Sequence, residues 1–460
     1  MHLGMTGWKP EFSVNLPHRF PTKLQRVDLL QQGKPFGDGG NYTMEEYHEK
    51  ADKIKKEYMR KHPELTEKLF KVQENSALTK EEADDEMCRL WEEEYWRVVD
   101  TCSEEVETEY GNDLDVKLYD SGFHPDKEGK RHPWDLNMFP SDSLCLLKAL
   151  DIPIPGMTSP WLYLGMLFAT FCFHTEDHFL YSINYHHTGA PKIWYGVPRQ
   201  GATKFEQALR ENVPAVFKES PDLLHRLVTM ISPSVAMNYG INMCRAVQNA
   251  GEFVITCPEA YHGGFNMGFN CGEAVNFALH DWLPIGRHAV EFYQKGAGKR
   301  AVVFAHNKLL HDLCRSFTDG SLDAFCLSGD EVECYRTCLE EYTKSMEEEL
   351  LLRTWLKGEG VVGTYVGREK IKEDDECPVC STIPFFSAVS CACRPNKLVC
   401  LRHAFQSCGC GSSQKKLYLQ VSTAEMMLVK KNLERKSLGD VPQTRPLIPE
   451  FHSRNRTACW

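Results

Sequence analysis

Apolar side chains recur with different periods along the 460-residue chain, and the changes of period divide it. Residues 1–40 are rich in Pro and Gly with short apolar runs, which predicts loops and one strand. Further on, Met87, Trp91, Tyr95, Val98 and Cys102 recur at helical spacing, with Glu92, Glu93, Glu94, Glu104 and Glu105 between and after them. That pattern predicts an amphipathic helix whose acidic outer face is solvated. Between Trp161 and Trp282 the chain turns to aromatic and β-branched runs broken by Gly, Pro and Asn, as in an antiparallel β-barrel or jelly roll. From about Gly296 to Lys370 Leu and charged residues return at helical period, most clearly in LEEYTKSMEEELLLRTWL. After Cys410 a short Leu/Tyr strand and a Lys-bearing helix lead into a Pro- and Arg-containing tail, 436–460, read as disordered.

Composition adds limits. A chain of this length has room for two or three domains, and 42% hydrophobic residues supply a core. No run approaches the roughly 18 consecutive apolar residues of a membrane helix. The start, MHLGMTGWKPEF, has neither the charged end nor the apolar stretch of a signal peptide, so the cytosol or nucleus is expected. A formal charge of -11 argues against a general nucleic-acid binder and suits a basic peptide substrate, although solubility alone accounts for it equally well. Of the 19 cysteines, seven lie between Cys377 and Cys410 and the rest are scattered singly, so the cluster reads as metal-binding rather than as a disulfide framework.

Candidate chemistry lies in the β-rich stretch. In FCFHTEDHFLYSINY, His174 and Glu176 are two apart and project to one face of a strand. His262, in GEFVITCPEAYHGGFNMGFN, follows an apolar strand able to bring it alongside. Two His and one carboxylate on one face of an iron leave positions open for cosubstrate and oxygen. A His-x-Glu pair alone is weak evidence. Ser182, Asn184, Lys192 and Trp194, however, share strand parity on two strands joined by the turn 187–191. A Lys aimed into a barrel needs an anionic partner, which a dicarboxylate ligand supplies.

On these residues the stretches WLYLGMLFATFCFHTEDHFLYSINYHHTGAPKIWYGVP and GEFVITCPEAYHGGFNMGFNCGEAVNFALHDWLP resemble the JmjC domain of histone lysine demethylases, a likeness covering roughly residues 95–300. The resemblance implies a mostly β catalytic core, a double-stranded β-helix of the jelly-roll or cupin type with flanking helices. It implies that His174, Glu176 and His262 hold Fe(II) and that Lys192 pairs with the distal carboxylate of 2-oxoglutarate. Tyr110 and Asn184 hydrogen-bond that cosubstrate, Phe171 and Trp194 wall its pocket, and Ser182 and Asn276 line it. Tyr163 faces the methylated lysine, and Ala274 and Val275 lie near its methyl groups. The implied reaction uses O2 and decarboxylates 2-oxoglutarate to succinate and CO2. It hydroxylates an N-methyl group, and the product collapses to formaldehyde; no nitrogen lone pair is needed, so trimethyl-lysine is an allowed substrate.

Cys377, Cys380, Cys391, Cys393, Cys400, His403, Cys408 and Cys410 supply eight ligands, enough for two tetrahedral Zn(II) sites. Without metal so short a segment has too little apolar surface to fold. It resembles the Cys-rich finger that follows the JmjC domain in JARID-type demethylases and some plant relatives. Spacing does not settle the pairing; a crossed one, with Cys377, Cys380, Cys400 and His403 on one ion and the other four on the second, is one possibility.

WKPEFSVNLPHRFPTKLQRVDLL resembles the end of a JmjN region whose first half is absent here, as in a fragment or a truncated gene product. No ARID or PHD segment is visible. The Cys/His set that adds a zinc in lysine 9 and 36 demethylases has no counterpart around 220–225 and 290–300, and Ala274-Val275 stands where those enzymes carry Ser-Thr. Both departures favour lysine 4 of histone H3, with lysine 27, 9 or 36 as alternatives. The expected plan is a JmjN remnant (1–40), a helical segment with strands leading into the barrel (41–130), and the JmjC domain (131–298). A helical linker domain (299–372), the zinc finger with its helix (373–435) and the tail (436–460) follow. The expected setting is the nucleus, on the methylated H3 tail within chromatin complexes, with no membrane and no strong direct DNA-binding signal. A protein hydroxylase of the same class and a non-catalytic scaffold are the competing functions; the intact His174, Glu176, His262 and Lys192 disfavour the second.

Overall fold

Two antiparallel sheets form the β-rich stretch and its surroundings in this computed structural model, which describes residues 1–6, 8, 18–34, 36–212, 229–295, 302–319, 331–367, 371–372, 375–438, 452–453 and 458–459. The first eight strands are β1 (His2–Met5), β2 (Phe20–Arg26), β3 (Gly37–Tyr42), β4 (Glu107–Asp115), β5 (Trp161–Gly165), β6 (Thr170–His174), β7 (Tyr181–Gly189) and β8 (Lys192–Val197). Then come β9 (Cys244–Gln248), β10 (Phe253–Thr256), β11 (Tyr261–Asn266) and β12 (Asn270–Phe277). Four more, β13 (Val362–Tyr365), β14 (Ser387–Cys391), β15 (Arg394–Val399) and β16 (Lys415–Leu419), build a small C-terminal sheet, and β17 (His452–Ser453) and β18 (Ala458–Cys459) are two-residue edges. The large sheet runs β17-β1-β10-β7-β12-β5-β4-β2-β3, and the second runs β18-β9-β8-β11-β6. Side chains of both line one cavity, so the two sheets face each other as a jelly roll does.

Helices flank the barrel where sequence signals place them. Those at Met44–Lys61 and Lys80–Thr101 each begin with a capping box, Thr43 with Glu46 and Thr79 with Glu82. The second carries Trp91, Tyr95 and Val98 into a core shared with Phe168, Tyr195 and Phe265 of the barrel. A different cluster joins Ile183, Tyr185 and Val275 of the barrel to Trp282, Phe304 and Leu310. It continues without a break to Tyr342 of the long helix Glu331–Gly358, Phe386 just before β14 and Met426 of the helix Thr423–Ser437.

Two expectations need correction. Residues 1–40 hold more strand than the single one expected: β1 pairs with β10, and β2 and most of β3 stack outward on β4. Long-range partners, invisible to a local pattern, make these strands. The acidic face expected of the Lys80–Thr101 helix is not wholly solvated either. Glu92 is buried, accepting from Tyr195 Oη at 2.6 Å and Arg245 Nε at 2.7 Å, and Glu94 is buried between Tyr58 and Arg97. Residues 9–17 of the JmjN-like stretch and most of the tail lie outside the described residues.

Candidate iron and cosubstrate site

β11 lies between β8 and β6, with His262 directly opposite His174 on one side and Gly196 on the other. The close approach needs Gly264, where a Cβ would meet Ile193 O at 1.9 Å. His174 ends β6, and Glu176, expected on the strand, lies two residues beyond it. Its backbone is still extended, so the side chain keeps the parity the spacing predicts. The turn carrying the site between β7 and β8 is tighter than 187–191, because β7 runs on to Gly189.

Glu176 Oε1 lies 3.2 Å from His262 Nε2 and 4.0 Å from His174 Nε2, and the three ligand atoms fall within 4.8 Å of one another. The His174 Nδ1 nitrogen lies 2.7 Å from Cys172 O, and His262 Nδ1 lies 3.1 Å from Ala260 O. Each Nδ1 thus faces a backbone carbonyl and each Nε2 faces Glu176, the orientation of an imidazole metal ligand whose other nitrogen is held by the backbone. Burial by itself raises the Glu176 carboxyl, but its hydrogen bond to His262 and the two nearby imidazoles outweigh burial and hold it down to about 2.

Lys192 is the second pole of the site. It is 5% exposed, and its Nζ donates to Tyr110 Oη at 3.4 Å. The rings of Tyr110, Tyr163, Phe171 and Trp194 surround it at 5.3 to 5.9 Å. Among the described residues it makes no ion pair with a carboxylate. Burial pulls its ammonium down to about 8, only slightly offset by Cys271. A buried ammonium of this kind is costly without an anion beside it.

A cavity of about 770 Å³ contains both poles. It is lined by His174, Glu176 and His262, by Tyr110, Phe171, Ser182, Asn184, Lys192, Trp194 and Asn276, and by Tyr163, Ala274 and Val275. Every catalytic, cosubstrate and substrate candidate of the sequence reading therefore lies on one cavity. The Trp194 wall is fixed by its indole, which donates to Gln248 Oε1 at 2.9 Å, while Gln248 Nε2 donates to Glu252 O at 3.0 Å.

Sequence reasoning missed Asp113, which lines the same cavity and accepts from Tyr163 Oη at 3.2 Å. It lies in an irregularity of β4 between Gly111 and Leu114 and has a left-handed φ of 57°. The one local signal for it is the pair Asn112-Asp113, residue types that tolerate that conformation. Gln248 gave no local signal; its partner Trp194 is distant in sequence.

The eight Cys/His candidates separate into two groups, Cys377, Cys380, Cys400 and His403 in one and Cys391, Cys393, Cys408 and Cys410 in the other, each with ligand atoms within 4.8 Å. This is the crossed arrangement. The Cys391 and Cys393 sulfurs are 3.4 Å apart and those of Cys380 and Cys400 3.7 Å, against about 2.05 Å for a disulfide. Lys415 Nζ donates to Cys408 Sγ at 3.1 Å and holds that thiol down to about 5.

Comparison with known proteins gives a family for each of the two regions. Residues 161–277 match the family described as JmjC domain, hydroxylase, and residues 377–429 match the C5HC2 zinc finger, whose ligand order is the one present here. Lysine-specific demethylase JMJ703 of Oryza sativa subsp. japonica is 38% identical over 409 residues, 85% of this chain and 31% of its own length. Putative lysine-specific demethylase JMJ16 of Arabidopsis thaliana is 39% identical over 395 residues, 82% of this chain and 32% of its own. Lysine-specific demethylase 5B of Gallus gallus is 40% identical over 351 residues, 73% of this chain and 22% of its own. The chain thus spans a third or less of the length of these relatives.

Proposed function

On the premise that this chain is a JmjC-domain protein with a C5HC2 zinc finger, similar to lysine-specific demethylases, we propose that it is an iron(II)- and 2-oxoglutarate-dependent demethylase of methylated lysine in the histone H3 tail. Lysine 4 is the favoured position, ahead of lysine 27, 9 and 36. One observation carries the reading: Lys192, a buried cation in no carboxylate ion pair among the described residues, lines the same cavity as two imidazoles and a carboxylate.

The residues present fit both groups. His174, Glu176 and His262 offer two imidazole nitrogens and a carboxylate oxygen, the donor set of non-haem iron. When bound, iron with 2-oxoglutarate and O2 supplies the oxidising power that hydroxylates an N-methyl group, so that formaldehyde leaves and succinate and CO2 are formed. Lys192 neutralises the distal carboxylate, and Tyr110 and Asn184 donate hydrogen bonds that fix its orientation. Phe171 and Trp194 exclude water from this end, which strengthens those bonds. Ser182 and Asn276 line the passage, and the Asn276 amide helps hold Glu176. Tyr163 orients the methylated ammonium, and apolar Ala274 leaves room for its methyl groups, while Val275 next to it on β12 packs into the core with Ile183. The apolar character of Ala274-Val275 also supports lysine 4, since the resemblance gives lysine 9 and 36 enzymes Ser-Thr there.

Two zinc ions, one per four-ligand group, hold the C-terminal module together. The working place is the nucleus, in chromatin complexes. The test is a panel of methylated H3 peptides incubated with protein, iron, ascorbate and 2-oxoglutarate. Formaldehyde release with loss of one methyl mass from the lysine 4 peptide is expected. A stable added oxygen without formaldehyde assigns a protein hydroxylase instead, and a preferred peptide other than lysine 4 moves the substrate.

A further inference from the structure

Immediately after Glu176 the chain makes a turn, Asp177–Phe179, in which both His178 and Phe179 have positive φ, 52° and 53°. Non-glycine residues disfavour that region, and two in succession persist only where the surroundings over-determine them. They do so at His178, which is fully buried. Its backbone N–H donates to Tyr293 Oη at 2.9 Å, and its carbonyl accepts from Trp282 Nε1 at 2.9 Å. Its ring Nε2 accepts from the backbone N–H of Val303 at 3.1 Å and of Phe304 at 3.4 Å. The ring also stacks on Phe304 at 3.9 Å and 12°.

None of these partners belongs to a barrel strand. Tyr293 is on the helix Leu283–Lys295, and Val303 and Phe304 lead into the helix His306–Asp319. Val303 itself lines the catalytic cavity. Phe304 and Trp282 belong to the apolar cluster that continues to Phe386 and Met426 beside the zinc module. We propose that His178 is a positioning residue through which the helical segment beginning at Val303 fixes the Glu176 ligand. Glu176 has no strand of its own: β6 ends at His174, and the carboxylate is aimed by the turn that follows. The segment behind the barrel thereby becomes part of the iron site without touching the metal.

The inference rests on the iron-site reading, and metal binding tests it without turnover. Manganese(II), which prefers oxygen and nitrogen to thiolate, is titrated into the zinc-loaded full chain. His178→Leu fills the space but leaves the Val303 and Phe304 N–H groups without an acceptor. His178→Gln keeps an acceptor oxygen of similar reach. The Leu variant should bind manganese about 10- to 100-fold more weakly, as when a group orienting a ligand is lost, with parental zinc content and circular dichroism. The Gln variant should recover to within about threefold of the parent. Tyr293→Phe removes only the oxygen that holds the His178 N–H, and it decides the matter if His178→Leu does not fold; it should weaken manganese binding in the same direction. Parental affinity in a folded Leu variant, equal losses in Leu and Gln, or parental affinity in Tyr293→Phe overturns the proposal. A parent chain that binds no manganese overturns the iron-site reading and this inference with it. Failure of the peptide assay alone, with manganese binding intact, touches only the substrate.

Discussion

His174 and Glu176 stand together at the end of β6, His262 comes from β11 86 residues after Glu176, and the three meet because a barrel with a large buried core brings the two strands together. The eight ligands of the zinc module come from one short segment, 377–410, whose own apolar clusters, such as Cys377, Cys380 and Val399, are small. The first site is a product of the fold; in the second the metal is a cause of it. The two ligand sets therefore carry opposite burdens. Losing an iron ligand should cost activity and little structure, whereas losing zinc should cost structure.

The largest effect expected is the removal of zinc. Structural zinc is worth about 10 kcal/mol or more to small modules, so stripping it with a chelator should unmask amide exchange throughout 375–437 while β5 to β12 stay protected. Exchange that rises equally in both regions breaks the contrast. Metal analysis of protein never exposed to chelator should give about two zinc ions per chain, from eight ligands at four each.

Next comes His174→Ala, which removes one nitrogen of the iron set from the end of β6. Turnover should fall below detection, with zinc content and the barrel's melting temperature close to the parent's. Retained demethylation contradicts the ligand assignment.

The smallest effect sharpens the comparison from the other side, because Lys192 is a functional group that should burden the empty fold. Its pKa is about 8 in the folded chain, below the usual 10.5. Between those values the unfolded chain binds more protons, so the Lys192 contribution makes the empty protein more stable as pH rises from about 8 to about 10.5. Lys192→Met should abolish that dependence and raise the melting temperature at neutral pH by a few degrees, an effect of about 1 kcal/mol or more. A lower melting temperature says that the ammonium has a partner in the empty protein.

Much of this was legible in the sequence because the signals are local. The spacing of His174 and Glu176, the parity of Ser182, Asn184, Lys192 and Trp194, and the eight Cys/His ligands need only a few residues of context. The strand β1 was not legible, because it exists through pairing with β10 some 250 residues away. Nor was the burial of Glu92, whose partners Tyr195 and Arg245 arrive from β8 and β9. A run of glutamates reads as a solvated face until the opposing sheet is known. Zinc pairing stayed open for the same reason, with the crossed arrangement only one possibility: Cys400 and His403 return to Cys377 and Cys380 across the β14–β15 hairpin.

The account stands most directly on Lys192 as the anchor of a dicarboxylate. Calorimetric titration of 2-oxoglutarate into manganese-loaded parent and Lys192→Ala protein isolates that role, because removing one partner of a buried charge-assisted bond costs about 2 to 5 kcal/mol. The variant should bind 2-oxoglutarate far more weakly, with manganese and H3-peptide binding nearly unchanged. Lys192→Arg should recover only part of the loss, since a planar guanidinium needs more room than an ammonium. Equal 2-oxoglutarate affinity in the parent and Lys192→Ala would contradict the account.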